Sequence, residues 1–416
     1  MSAPHSSRGP SRIRLIGKSA TRSLQDVMLL HRRFFALAMA SALVAAATET
    51  WAASPAGVAC PSLEAGLDAF ARRALDGGVP GVVVGVARPG TAPLVRAFGV
   101  ADLEHGATMT PSSAFRIASL TKSFTAAAVL RLVADGRLAL RARAADLLPD
   151  RPWLGDITVD QLLNHTAGLA DYAEDPTGGA TKAVSRTPAE MADWIERLEP
   201  RSRFEPGSAW AYSNSHYVLL GLIIEGVTGR PYAEFVRDAV LVPASLRDTV
   251  VDDPAEIVPG RVRGYSLITN RPLALRNADW IHPSMPGPAG SFRATAADVL
   301  AWNQALFSGR VVPMAEVGQM IAPGLLSDGR TTKWGMPQAW REGLNADYGM
   351  GVFVTPSPIG RRVWHSGDID GFASWMGHWP DVGVTAVVLT NADFRSIDVD
   401  TFEALIARDI ACRPTD

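Results

Sequence analysis

The sequence predicts an α/β protein of the α+β type, with one antiparallel sheet built from both ends of the chain. A short amphipathic helix and two strand-like runs open the folded region, and four more such runs precede a closing helix. Between them, residues 119–310 show mostly helical spacing of apolar side chains. Since a sheet buries its apolar face against another layer, we expect a helix-flanked sheet with an inserted, mostly helical lobe.

The first predicted elements are one helix and two strands. Apolar side chains between residues 63 and 75 recur at helical spacing, and Gly77-Gly78 indicates where that helix ends. Residues 81–87 and 94–99 are β-type runs separated by a Pro-Gly turn. Residues 53–118 are therefore predicted to form the first part of the sheet lobe.

The middle of the chain is predicted to be helical. One helix is expected to begin at Ser119 and to end before Gly136. Further helix starts are indicated by capping-box patterns, which begin at Thr158, Thr187 and Thr295. The apolar helix at residues 217–227 is expected in the core rather than in a membrane. We assign residues 119–310 to the helical lobe.

The last third of the chain changes to short β-type runs at the spacing of a meander. These runs cover residues 348–355, 361–365, 372–379 and 384–390. Apolar residues from 399 to 410 then recur at helical spacing. Residues 311–416 are predicted to complete the sheet lobe, so that residues 53–416 form one two-lobed domain.

Length and composition narrow the range of functions. A chain of 416 residues is long for a single core, which agrees with two lobes. With 47% hydrophobic and 20% charged residues, it is typical of a folded globular protein. The formal net charge is −2 and the body of the chain has no basic cluster, which argues against nucleic acid as a partner.

The N-terminal segment has the pattern of a secretory signal peptide. Arg32-Arg33 precede an apolar run at residues 34–47, and small residues follow up to Ala52. This run is shorter than the ~20 residues that a membrane-spanning helix needs. We predict a signal peptide at residues 1–52, with Met28 as a possible true start and a retained anchor as the alternative. The mature protein is then periplasmic or secreted, without a stable membrane span.

The two cysteines, Cys60 and Cys412, lie near the ends of the predicted mature chain. Two cysteines in an exported protein commonly form a disulfide. Spacing alone equally allows two unpaired thiols. Because the first and last helices are expected to pack on the same sheet, we treat a Cys60–Cys412 bridge as a hypothesis.

Ser119-Leu120-Thr121-Lys122 is the segment with the clearest chemistry. Residues three apart on a helix share a face, so the Lys122 amine can approach the Ser119 oxygen. A serine needs an adjacent base to become a nucleophile, and a desolvated lysine can be that base. The chain has four lysines among its 40 basic residues, so a lysine here indicates a role that arginine cannot fill. The alternative is a solvated surface lysine behind a helix-capping serine.

Two more clusters follow in the chain, Tyr212-Ser213-Asn214 and His365-Ser366-Gly367. With Ser119 and Lys122 in this order, residues of about 62–411 resemble the class C β-lactamase and DD-peptidase family, whose members are penicillin-binding-protein-like serine hydrolases. The resemblance implies the same antiparallel sheet and an acyl-enzyme mechanism without a cofactor. No residue spacing indicates a metal site.

The resemblance implies a role for each matching residue. Ser119 attacks a carbonyl, while Lys122 and Tyr212 share the general-base and general-acid work. An ammonium at Lys122 is expected to lower the pKa of the Tyr212 phenol. Asn214 binds the substrate carbonyl and holds Lys122. Tyr212 as a core aromatic, with Asn214 as the cap of the next helix, is the alternative.

The resemblance also implies that the backbone N–H groups of Ser119 and Asp368 form the oxyanion hole. Gly367 is expected to leave the strand edge open, so that substrate can add to it as a β-strand. Together with His365 and Ser366, Gly367 would line the substrate site.

His365-Ser366-Gly367 stands where efficient β-lactamases of this type have Lys-Thr-Gly. A mostly neutral histidine and the acids Asp368 and Asp370 weaken recognition of a substrate carboxylate. We therefore expect a DD-carboxypeptidase or D-aminopeptidase-like peptidase, or a carboxylesterase, with weak β-lactamase activity. Its partner would be a small molecule or a peptide: a peptidoglycan-type peptide, an ester or a β-lactam. A true class C β-lactamase and a non-catalytic cell-wall peptide binder are the alternatives.

Overall fold

A computed structural model describes residues 62–177, 181–268, 274–393 and 397–412. The predicted signal peptide and Cys60 lie outside these residues, and Cys412 is disulfide-bonded. The helices of the described residues are Leu63–Asp76 (α1), Thr121–Ala134 (α2), Ala144–Leu147 (α3), Val159–Leu163 (α4), Pro188–Glu196 (α5), Asn214–Thr228 (α6), Tyr232–Val236 (α7), Ala296–Phe307 (α8), Met314–Ile321 (α9), Thr332–Gly335 (α10), Gln338–Leu344 (α11) and Val399–Ala411 (α12).

The strands of the described residues are Gly81–Ala87 (β1), Leu94–Asp102 (β2), Ala107–Thr108 (β3), Phe115–Arg116 (β4), Val250–Val251 (β5), Tyr265–Leu267 (β6), Leu275–Asn277 (β7), Phe292–Ala294 (β8), Asp347–Tyr348 (β9), Phe353–Ser357 (β10), Gly360–Ile369 (β11), Phe372–Trp379 (β12) and Val384–Thr390 (β13). Eight of these form one antiparallel sheet in the order β3-β2-β1-β13-β12-β11-β10-β9. Because β1 pairs with β13, the sheet is built from both ends of the chain, which confirms the predicted fold class.

The two faces of the sheet are covered by different helices. Val82, Val84 and Val86 of β1 lie in one apolar cluster with side chains of α1 and α12, whereas Val83 lies in the other cluster, with Trp302 of α8. This alternation follows from the two-residue period of a strand. Helix α8 contacts β1 and β13, although its residues fall in the range predicted for the helical lobe.

A small three-stranded sheet, β4-β8-β5, was not predicted from the sequence. Its strands have only two or three residues, so they leave no periodic pattern to recognise. Strand β4 leads into a 3₁₀ turn, Ala118–Leu120, and then into helix α2. Helix α2 is almost completely buried and packs against α6. This packing sets Ser119 between the main sheet and the helical region.

Two predicted strands differ from those observed. The run predicted at residues 348–355 is interrupted, because residues 349–352 leave the sheet and Met350 N–H donates to the Met320 carbonyl. Gly351 adopts φ +76°, and a Cβ there would lie 2.7 Å from the Lys122 carbonyl oxygen. The run predicted at residues 361–365 continues to Ile369, so the His365 segment lies inside β11.

No helix in the part of the chain that the structure describes combines the length and the apolar character that crossing a membrane requires.

Candidate active site

Ser119 and Lys122 are held together by the start of helix α2. Ser119 lies in the 3₁₀ turn, and the Lys122 Nζ atom is 3.0 Å from the Ser119 Oγ. Ala118, directly before the serine, has φ +48°, a left-handed conformation that is strained for a residue with a Cβ. Such strain close to a nucleophile is common at functional sites. The structure thus brings together the two residues that the local spacing predicted.

Lys122 is completely buried, which excludes the solvated-lysine alternative. Burial lowers its pKa to about 7, and the Asp171 carboxylate partly opposes that shift. The Nζ atom also donates to Asn214 Oδ1 and to the Ala289 carbonyl oxygen, each at 2.8 Å. A neutral amine has two hydrogens, which these two oxygens use. Its remaining lone pair then faces the Ser119 hydroxyl and can accept its proton.

Tyr212 lies beside both residues but has a raised pKa. The Lys122 Nζ atom is 4.7 Å from the centre of the Tyr212 ring. Burial raises the pKa of the phenol above its usual value; a hydrogen bond with Ser119 opposes this and Asp171 adds to it. The predicted lowering of this pKa is therefore wrong, because desolvation of the buried phenol dominates and a lysine with a pKa near 7 supplies no permanent ammonium. Tyr212 carries its proton at neutral pH and can donate it.

Asp171 is a site residue that the sequence analysis missed. Asn214 Nδ2 donates to Asp171 Oδ2 at 2.9 Å, while Asn214 Oδ1 accepts from Lys122. The Asp171 side chain also caps a short 3₁₀ helix, Tyr172–Glu174, by accepting from Ala173 N–H. Burial raises the pKa of this carboxyl group. Asp171 and Asn214 are 43 positions apart in the chain, so no spacing signal could have linked them.

His365 is buried in β11 and is neutral. Its Nδ1 atom lies 2.5 Å from the Ser366 carbonyl oxygen, which requires Nδ1 to carry the proton. Its Nε2 atom then accepts from the Tyr348 hydroxyl at 3.2 Å. Burial, followed by the nearby Lys122, lowers the pKa of His365 to about 3. His365 therefore supplies no positive charge to this edge, as the sequence analysis expected at pH 7.

Gly367 allows β11 to approach the nucleophile closely. A Cβ atom at Gly367 would lie 2.3 Å from the Ile117 carbonyl oxygen and 3.1 Å from the Ser119 backbone nitrogen. We expected the glycine to leave room for substrate, but its first effect is to leave room for the nucleophile turn. The pairing of β10 with β11 begins at Gly360 and ends at Trp364. Beyond Trp364, this side of β11 faces the turn that carries Ser119.

The oxyanion hole and the remaining substrate residues stay predictions. Asp368 directly follows Gly367, which brings its backbone close to the Ser119 turn. Ser366 is exposed on the opposite face of the strand from Gly367. Desolvation in the cleft, followed by the Asp393 and Asp370 carboxylates, raises the pKa of the Asp368 side chain to about 7.

Ser119 opens into a cleft of about 360 Å³, the active-site cleft. Asn214 and Ala289 line its floor, and charged side chains line its rim: Asp175, Lys182, Asp368 and Asp370. Lys182 is neutralised by ion pairs with Asp370 and with Asp279, the latter at 3.2 Å. Carboxyl groups therefore dominate the rim, which favours a positive or neutral substrate over an anion.

A pair of histidines lies behind Tyr212. The ring centres of His165 and Tyr212 are 4.5 Å apart, and the Nδ1 atoms of His165 and His216 are 3.0 Å apart. Burial is the main cause that lowers the pKa of both rings. His165 thus packs against Tyr212 and does not face Ser119. In the described parts of the chain, no cluster of acids, histidines and cysteines could hold a metal ion.

The comparison with known families agrees with this geometry. Residues 63–408 match the family described as Beta-lactamase. The chain belongs to the β-lactamase family. This confirms the resemblance drawn from Ser119, Tyr212 and His365, and it makes the chain a member of a family of serine hydrolases.

Three relatives with assigned names show the range of the family. The chain is 28% identical over 308 residues to penicillin-binding protein 4* of Bacillus subtilis, 28% over 323 residues to a D-aminopeptidase of Brucella anthropi, and 40% over 202 residues to esterase EstB of Burkholderia gladioli. These matches cover 71%, 75% and 45% of this chain, and 64%, 56% and 51% of the relatives. The chain thus spans about half to two thirds of their length.

A solved structure matches over more of its length. The D-amino acid amidase from Ochrobactrum anthropi SV3, complexed with D-phenylalanine, superimposes with a TM-score of 0.71 at 26% identity. The match covers 84% of this chain and 99% of that chain. The described region therefore shares its fold with nearly the whole of that amidase chain.

Proposed function

We propose that the protein is an exported hydrolase that forms an acyl-enzyme at Ser119 and cleaves amides or esters. A single observation carries the proposal: the Nζ atom of the completely buried Lys122 lies 3.0 Å from the Ser119 Oγ. An arginine or a solvated lysine could not accept a proton there at neutral pH.

The first half-reaction follows from the contacts. Neutral Lys122 accepts the hydroxyl proton as Ser119 Oγ bonds to the carbonyl carbon, and backbone N–H groups stabilise the oxyanion. The bond to the leaving group breaks as Tyr212 donates its proton to the leaving nitrogen or oxygen. The proton on Lys122 then passes to the Tyr212 phenolate, which restores the neutral pair. Water then attacks the acyl-enzyme with the same groups as base and acid, releasing the acid and free Ser119.

The charge of the cleft supports a choice of substrate. Neutral His365 provides no partner for a carboxylate beside the scissile bond, and among the described residues the carboxyl groups of the cleft lining outnumber its one cation, Lys182, which favours an amine. We propose D-amino-acid amides and short peptides with a free amine, or neutral esters, as substrates. The names of the relatives, a D-aminopeptidase, a D-amino acid amidase and an esterase, support this choice.

Export rests on the N-terminal pattern and has its own test. The basic pair before the apolar run at residues 34–47 supports cleavage near Ala52. Expression in a bacterial host, followed by N-terminal sequencing of the periplasmic protein, is expected to find a new N-terminus close to that position. A full-length protein that stays in the cytoplasm would contradict export.

The acyl-enzyme is tested by covalent labelling. A fluorophosphonate probe is expected to label the wild-type protein but not Ser119→Ala, while Ser112→Ala, which removes an exposed serine outside the cleft, keeps full labelling. Persistent labelling of Ser119→Ala would place the nucleophile elsewhere. Turnover of D-alanyl p-nitroanilide, p-nitrophenyl acetate and a cephalosporin is then compared. Cephalosporin hydrolysis as fast as the better of the other two would overturn the proposed substrate choice.

A further inference from the structure

A second cleft, of about 300 Å³, lies beside the active-site cleft and is rich in arginine. Four arginines line it, together with Trp280 and Asp370; these are Arg116, Arg261, Arg263 and Arg293. We call it the arginine cleft. Asp370 lines both clefts, so they share a wall. The two clefts are therefore neighbours, separated by the Asp370 side chain.

Three of these arginines converge on one fully buried carboxylate, Asp252, whereas Arg263 pairs with Glu104 at the surface. Arg261 holds both of its oxygens, at 2.9 and 3.1 Å. Arg116 and Arg293 approach it only to 3.9 and 3.6 Å, which is beyond hydrogen-bond distance. Arg293 also donates to Glu256 at 2.9 Å, at the rim. One buried carboxylate thus faces three guanidinium groups and satisfies only one of them.

Arg116 and Arg293 are also directly opposite each other on the paired strands β4 and β8. Two like charges in this arrangement destabilise a sheet. The two side chains lie in the interior, with only 8% and 4% of the residue surface exposed. The Trp280 ring, 5.3 Å from the Arg116 guanidinium carbon, covers one of them and holds it in place.

The same two arginines have unused donors. Arg116 Nη2 and Arg293 Nε and Nη1 are buried and lack a hydrogen-bond partner within the described part of the chain. A buried guanidinium N–H without a partner is costly. Two oxygens of a carboxylate or a phosphate group match the fork of a guanidinium group and form its strongest hydrogen bonds. The arrangement fits an oxyanion ligand better than any other class of group.

We propose that the arginine cleft binds an oxyanion, a carboxylate or phosphate group, that the substrate carries at a distance from its scissile bond. The inference rests on the proposed function, because the same substrate that acylates Ser119 would also be bound at a second point, in the arginine cleft. Arg116 is three residues before Ser119 along the chain, and Arg293 is three residues after Gly290, which lines the active-site cleft. The preferred substrate therefore pairs an amine in the acidic active-site cleft with an acid in the arginine cleft.

Isosteric substrate pairs test the acidic group on either side of the scissile bond. One pair is D-glutamyl and D-glutaminyl p-nitroanilide; the other is D-alanyl-D-glutamate α-amide and D-alanyl-D-glutaminamide. In at least one pair, we expect the acid to have a kcat/KM about tenfold or more above that of its amide, since hydrogen bonds to charged groups are the strong ones. Inorganic phosphate should inhibit the acid competitively and the amide weakly.

Variants assign the preference to the arginine cleft. Arg116→Gln and Arg263→Gln are each expected to reduce the acid-to-amide ratio severalfold. Arg263 is exposed at the rim, so its variant is expected to fold even if Arg116→Gln does not. The control is Arg143→Gln, which removes an exposed arginine paired with Asp146 and Asp156, away from the lining of both clefts. This control variant should keep the acid-to-amide ratio of kcat/KM that the wild type shows.

The outcomes separate the two proposals. Equal kcat/KM within both pairs, or a preference that survives in both cleft variants, would overturn the arginine-cleft proposal. Phosphate that raises the Tm of the wild type but not of the variants, without any acid preference, would show a free-anion site and overturn the assignment to substrate. If all four compounds were inert while the fluorophosphonate still labelled Ser119, the arginine-cleft proposal would be overturned. If Ser119 were not labelled either, the proposed function would fail, while the phosphate-dependent Tm would still show whether the cleft takes an oxyanion.

Discussion

Replacing Asp171 by asparagine is expected to move the pH dependence of catalysis to lower pH. Lys122 must be neutral to accept the Ser119 proton, so kcat/KM should rise with pH up to its pKa of about 7 and then level off. Asp171 raises that pKa by attracting the charged form. Asp171→Asn removes the attraction, so the amine becomes neutral at a lower pH.

The size of the shift follows from the hydrogen-bond chain. Asn214 joins Lys122 and Asp171 through contacts of 2.8 and 2.9 Å, across one side-chain amide. Charges about 6 Å apart interact by about 3 kcal/mol at an effective dielectric constant of about 20. This energy corresponds to about two pH units. The variant also loses one acceptor for Asn214 or Ala173, which should cost about 1 kcal/mol of unfolding free energy.

The assay measures kcat/KM for p-nitrophenyl acetate between about pH 4 and pH 9. This range covers the expected rise of kcat/KM with pH in both the wild type and the variant. This substrate does not titrate in that range, so the rise of kcat/KM reflects a titrating group of the enzyme. The control is Asp175→Asn, because Asp175 lines the same cleft but is outside the chain to Lys122. If kcat/KM rose at the same pH in the wild type and in Asp171→Asn, the reasoning would be refuted. The rise could then not be assigned to a Lys122 whose pKa depends on Asp171.

Three further substitutions test the same site. Lys122→Arg should lower kcat by about 10³ or more, because arginine keeps its proton; substantial turnover would mean that Lys122 acts only as a fixed charge. Tyr212→Phe should lower kcat by about 10² to 10³ with a similar KM, and an unchanged kcat would remove Tyr212 from the proton path. Gly367→Ala should cost about 1–3 kcal/mol of unfolding free energy and reduce kcat/KM, because its Cβ would meet the Ile117 carbonyl at 2.3 Å. Denaturant melts compare it with Gly318→Ala, whose Cβ meets nothing within 4 Å; equal stability of the two would contradict the predicted clash.

The parts of the site that were predictable depend on local spacing. Ser119 and Lys122 are three residues apart, so helical geometry alone brings them together. Asn214 and His365 were found through their motifs, and the predicted contact of Asn214 with Lys122 is confirmed, but their other partners were not found. Asp171 reaches Asn214, and Tyr348 reaches His365, only through packing of segments that are 43 and 17 residues apart.

The wrong direction predicted for the Tyr212 pKa also results from packing between segments far apart in the chain. A phenol near an ammonium has a lowered pKa, and the sequence analysis assumed that ammonium. The complete burial of Lys122 lowers its own pKa to about 7, which removes most of the expected effect. The degree of burial is a property of the folded chain, so the sign of the Tyr212 shift could not be read from its neighbours in sequence.

The sequence by itself determined the fold class, the nucleophile with its lysine, and the order of the three motifs, because these follow from short-range periodicity and spacing. Tertiary structure alone decided the neutral state of Lys122, the reason for Gly367, the part played by Asp171 and the arginine cleft next to the active-site cleft. Each of these depends on desolvation or on through-space charge between residues far apart in the chain. Such interactions exist only once β11, helix α6 and the small sheet pack around Ser119.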